Sequence, residues 1–104
     1  MQDTHRVILT AVALADLENI AHFIHQDSPQ NAATVAELIL DAVDSLAFMP
    51  SRFRRVGKSR KRGTPIHAMV VRPFIIYYRV DDPTLSVFIL NIRHGSRRQP
   101  NRFA

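Results

Sequence analysis

Two amphipathic helical patterns meet at Ser28-Pro29 with almost nothing between them. In ALADLENIAHFIHQD, residues Leu14, Leu17, Ile20, Ala21 and Ile24 recur at three- and four-residue intervals, which puts apolar side chains on one helix face. The same spacing in PQNAATVAELILDAVDSLAFM carries Val35, Leu38, Ile39, Ala42, Val43 and Leu46. Ser28 offers a side-chain oxygen for an N-cap. Pro29 suits the first helical position, where no amide is needed, and Pro50 stops the second helix. So short a junction turns the helices back on each other, and an antiparallel hairpin is expected. Asp16 and Glu18 lie near the start of the first helix, where its dipole favours acids.

The rest of the chain reads as strands. HRVILT is short and β-branched; IHAMVV, FIIYYRV and LSVFILNI follow, divided by Arg72-Pro73 and by the turn Asp81-Asp82-Pro83-Thr84. Turns this short pair their strands antiparallel. LSVFILNI is apolar on both faces and is expected at the centre, under the helices. Tyr77 and Tyr78 alternate, one into the core and one outward, with Arg79 facing solvent or a carboxylate. The expectation is an α+β fold of order β-α-α-β-β-β, a helical hairpin packed on an antiparallel sheet. Residues 1–104 form one domain, with 51–64 a mobile basic loop and 101–104 a frayed tail. An apolar fraction of 46% in 104 residues supports one modest core.

Charge is divided along the chain. Residues 1–49 hold one cation, Arg6, against seven carboxylates, a balance of −6; residues 50–104 hold thirteen Lys/Arg against two, a balance of +11. The basic half calls for an anionic partner, nucleic acid or an acidic protein segment. There is no cysteine, hence no disulfide framework and no thiolate ligand or nucleophile. The N-terminus lacks a signal-peptide pattern and no apolar run is long enough for a bilayer, so a soluble cytoplasmic protein without membrane contact is expected.

No metal site or cofactor is expected. His22 and His25 are three apart on the first helix without locatable further ligands, the three glycines are isolated, and Asp81 and Asp82 sit in a turn. The densest basic cluster is Arg52, Arg54, Arg55, Lys58, Arg60, Lys61 and Arg62, which either neutralises phosphates or is a solvated loop. Phe53 within it either stacks on a base or tucks against the core. At the end of the last strand, RHGSRRQP brings Arg93, His94, Arg97 and Arg98 to the sheet rim, with Gly95 turning the chain. Those residues could stabilise a pentacovalent phosphate and exchange a proton through His94, or simply pair with acids and cap a turn. Arg72 and Arg79 complete the basic set.

The succession LADLENIAHFIHQDSPQNAATVAELILDAVDSLAFMP, VVRPFIIYYRVDD and ILNIRHGSRRQP resembles the RelE/ParE superfamily of bacterial toxin–antitoxin toxins, over about residues 6–100, and looks most like its ParE branch. The resemblance implies a small toxin neutralised by a cognate antitoxin with an acidic and apolar segment; operator DNA is met only through the antitoxin. ParE-type toxins poison DNA gyrase without chemistry of their own, whereas RelE-type toxins cut messenger RNA in the ribosomal A site. The RelE set of sheet Lys and Arg with a C-terminal Tyr is incomplete: IHAMVV carries only His67, and Phe103 follows the last arginines. No catalytic residue is therefore expected; a nuclease would have to use His94, Arg97 and Arg98. Arg93, His94, Arg97, Arg98 and Arg72, then Arg54, Arg55, Lys58, Arg60, Lys61 and Arg62, are the expected contacts to target or partner. The antitoxin groove is expected between hairpin and sheet, with Leu14, Leu17 and Phe23 as apolar anchors. A non-toxic basic binding module is the remaining alternative.

Overall fold

The computed structural model describes residues 4–58 and 63–96. Strand β1 (Arg6–Leu9) leads into α1 (Ala11–Asp27) and α2 (Pro29–Asp44); β2 (Arg55–Lys58), β3 (Pro65–Val71), β4 (Phe74–Asp81) and β5 (Ser86–His94) follow. Ser28 alone joins the helices. Its amide donates to the Ile24 carbonyl at 2.9 Å, closing α1, while its Oγ accepts from the Asn31 amide at 3.2 Å, opening α2.

The five strands run in the order β1-β5-β4-β3-β2. This corrects the expected topology in two respects. The sheet is mixed, because β1 pairs parallel with β5 and the other neighbours are antiparallel. Also, the segment expected as a mobile loop contributes the edge strand β2, which pairs with β3 around a bulge between Arg55 and Gly57. Two bonds fix its approach: the Ala68 amide donates to the Arg54 carbonyl at 3.0 Å, and His67 Nδ1 donates to the Phe53 carbonyl at 2.8 Å. A short, bulged edge bearing Arg55 and Lys58 discourages pairing with foreign strands. β5 is internal, but β4 is the middle strand.

Both helices cover one face of the sheet. α1 turns Ala13, Leu17, Ile20 and Ile24 inward, and α2 turns Ala32, Ile39 and Val43. The small Ala13 takes the inward place expected for Leu14, which is 47% exposed, and Leu38 is likewise exposed. Polar bonds fasten α1 and its N-cap to β5. The Thr10 amide and hydroxyl both donate to the Ile89 carbonyl, at 3.1 and 2.7 Å, while Thr10 Oγ accepts from the Ala13 amide at 3.2 Å as the N-cap. Asp16 lies past the first turn; its Oδ2 accepts from the Ile92 amide at 2.9 Å, next to a bulge that inserts Leu90 between the partners of Tyr77 and Tyr78. No described helix is long and apolar enough to cross a membrane.

Candidate functional site

The opposite face of the sheet has its own small apolar cluster, built from Ile66, Ala68, Tyr77 and Leu90, with Val56, Ile75 and Phe88 packed around it; no helix residue enters it. These side chains are nonetheless buried, Tyr77 to 4% exposure, so both tyrosines are interior, one on each face, and neither is exposed as the alternation suggested. Arginines help close this face. The Arg79 guanidinium lies 4.1 Å over the Phe88 ring and the residue is buried, not turned outward to solvent. Arg93 pairs with Ile75 across β4–β5, and its Nε is buried without a hydrogen-bond partner among the described residues. Burial pushes the Tyr77 phenol above its usual range, and the positive fields of Arg54 and Arg93 partly offset the rise. Exposed Arg54 and half-buried Arg93 thus make this face cationic, above the buried Tyr77 and Arg79.

His94 does not belong to it. It pairs with Phe74 of the helix-side core and meets that ring edge-on at 5.7 Å, so strand alternation puts it on the side opposite Arg93. Its Nδ1 accepts from the Ser96 amide at 3.1 Å and lies 2.7 Å from Ser96 Oγ, which leaves the proton of the neutral ring on Nε2. The expected cluster of Arg93 with His94 is therefore split by the sheet; Arg97 and Arg98 lie outside the described residues, as do Arg60, Lys61, Arg62 and the expected tail 101–104.

The remaining expected contacts scatter. Arg72 is exposed at the β3–β4 turn, and Arg55 and Lys58 are exposed along β2. Arg52 is a structural residue: it donates to the Phe48 carbonyl, to the Met49 carbonyl at 3.1 Å and to Ser45 Oγ at 3.2 Å, tying down the chain beyond α2. Phe53 packs on the core. The anchor trio also separates. Leu17 is 8% exposed and part of the core, so it offers no docking surface; Leu14 and Phe23 are exposed but nine residues apart, on opposite flanks of α1. Val12 shares the Phe23 flank, and Leu38, Leu40, Phe48 and Met49 are further exposed apolar side chains. Among the described residues no group of three His, Cys, Asp or Glu could hold a metal.

A model of the ParE toxin of the type II toxin–antitoxin system parDE matches residues 7–99. The chain belongs to this toxin family. Toxin RelE2 of Caulobacter vibrioides is 38% identical over 88% of this chain and 97% of its own, and a putative toxin, Y4kP, of Sinorhizobium fredii is 34% identical over 91% and 93%. Among solved structures, the toxin resembles a chain of the chromosomal ParDE system of P. aeruginosa, with a TM-score of 0.67 at 23% identity over 88% of this chain and 97% of that one. It also resembles a chain of the RelBE2 toxin–antitoxin complex of Mycobacterium tuberculosis, with a TM-score of 0.57 at 26% identity over 90% and 94%. The placement of Tyr77 and Arg79 side by side beneath the helix-free face of the toxin was not foreseen. Their signal was present, since Ile75, Tyr77 and Arg79 alternate onto one side of β4.

Proposed function

We propose that this ParE-family toxin is neutralised by a protein antitoxin and acts by poisoning DNA gyrase through its arginine-bearing surface, without bond-making chemistry of its own. The observation that carries this reading is the placement of His94. The helix-free face holds Arg54 and Arg93 for charge, yet its ionisable hydroxyl, Tyr77, is buried and its pKa is pushed upward. The His94 imidazole, which a nuclease would need beside the arginines, sits across the sheet. The match to the ParE model and the solved toxin–antitoxin neighbours support the antitoxin partnership.

The likeness to toxin RelE2 favours a second reading, cleavage of ribosome-bound message by His94, Arg97 and Arg98. A supercoiling assay with trapped cleavage complexes separates them. Gyrase poisoning predicts lost supercoiling with broken DNA, abolished by Arg54→Glu with Arg93→Glu and retained in His94→Ala. Undisturbed supercoiling at large excess of folded toxin, together with message cleavage lost in His94→Ala, overturns it in favour of the nuclease.

A further inference from the structure

Where the β3–β4 turn meets the end of β5, the surface opens into a groove of about 310 Å³. Val70, Pro73 and Ile75 give it an apolar wall, and Arg72 and His94 a polar rim; among the described residues no carboxylate lines it. Val70 is 54% exposed although its strand neighbour Met69 is buried. The base is firmly held. The Gly95 amide donates to the Pro73 carbonyl at 2.6 Å, and a Cβ on Gly95 would stand only 3.0 Å from that oxygen. Ser96 and Phe74 fix the imidazole on both sides, so Nε2–H is the donor that His94 presents.

We propose that this groove receives one apolar side chain of an extended acidic segment of the antitoxin, whose neighbouring carboxylate accepts from His94 Nε2–H and pairs with Arg72. The size and shape favour a side chain: the volume lies at the lower end of the range for whole small-molecule ligands, and the groove is open rather than enclosed. Charge selects the sign, because the rim is cationic and residues 50–104 carry a balance of +11. Position supplies the approach. Ile75 belongs both to the groove and to the apolar cluster of the open face, and it pairs with Arg93. A segment lying over Arg93 and Ile75, both only half-buried, therefore reaches the groove and its exposed Val70 without leaving the sheet. The inference rests on the antitoxin partnership proposed above and is independent of the toxin's target.

Two measurements test it. In fluorescence anisotropy, a fluorescein-labelled octapeptide of alternating Glu and Leu binds the folded toxin, and a Lys–Leu octapeptide does not. Val70→Asp weakens the Glu–Leu complex about tenfold, and Arg72→Glu does so independently. Both substitutions are at exposed positions, and circular dichroism confirms their folding. Affinity unchanged in both variants overturns the proposal. In cells, toxin carrying Val70→Asp arrests growth at an antitoxin level that silences the wild type. Neutralisation equal to wild type overturns it, as does a variant harmless on its own that still binds the peptide normally, which assigns the groove to the target. A wild-type toxin that neither arrests growth nor affects gyrase would remove the functional reading, while the peptide measurement still decides the groove.

Discussion

The Tyr78 phenol should make the fold's stability depend on alkaline pH in a way that one substitution reverses. Tyr78 is fully buried on the helix side, donates to the Pro50 carbonyl and stacks on His67 with ring centroids 5.3 Å apart. Burial, against smaller opposing contributions from Arg52 and a backbone hydrogen bond at Phe53, pushes its pKa up to about 12 from 10.0. The folded state therefore holds this proton more tightly than the unfolded chain. That advantage is complete below about pH 10 and is lost as pH rises through about 12. A rise from 10.0 to about 12 corresponds to roughly 3 kcal/mol, of which about half is gone at about pH 11. Tyr78→Phe has no such proton; it gives up the Pro50 hydrogen bond instead, for about 1 kcal/mol at neutral pH. Urea midpoints of wild type and Tyr78→Phe, measured from neutral to strongly alkaline buffer, should cross between about pH 10 and 11, with the variant the more stable beyond. Groups common to both proteins cancel in the difference. A constant gap between the two curves across the alkaline range would refute the account of Tyr78 as a desolvated phenol.

Asp16→Ala strands the Ile92 amide and should lower the unfolding free energy by about 1.5–3 kcal/mol, with Asp16→Asn retaining part of it; urea denaturation at constant slope measures both. Leu17→Ala empties a core position and should cost about 2–5 kcal/mol, whereas Phe23→Ala, at 72% exposure, should stay within about 0.5 kcal/mol. Gly95→Ala presses a methyl to 3.0 Å from the Pro73 carbonyl, and a loss of about 1 kcal/mol in thermal or urea unfolding should accompany altered amide shifts at the β3–β4 turn.

The helical hairpin was legible in the sequence because its determinants are local: Ser28 caps both helices, and Pro29 starts the second. What escaped depended on contacts distant along the chain or on residues without a pattern of their own. Parallel pairing of β1 with β5 joins residues about 80 apart and leaves no periodic trace. β2 was hidden by its own charges, which suit an exposed edge as well as a loop. On α1, Leu14 and Leu17 both fit an apolar face, and the choice turned on Ala13, too small to weigh in a hydrophobic pattern. The candidate site followed the same division. The cations were visible as a group, but their distribution over two faces required knowing that β5 continues to His94, so that Arg93 and His94 point in opposite directions.

The side-by-side placement of β1 and β5 also governs when the molecule can come into being. Thr10 reaches Ile89 and Asp16 reaches Ile92, so α1 and the first strand find their seats only when the last strand has been made. At about 5–20 residues per second, synthesis of the roughly 80 residues that separate β1 from β5 occupies about 4–16 s. Through most of that interval β1 lacks the neighbour that completes its sheet, and a growing chain displays apolar surface without the finished arginine face. In this toxin the two strands meet only after everything between them has been made, and a partner has that interval in which to take hold of the exposed apolar surface.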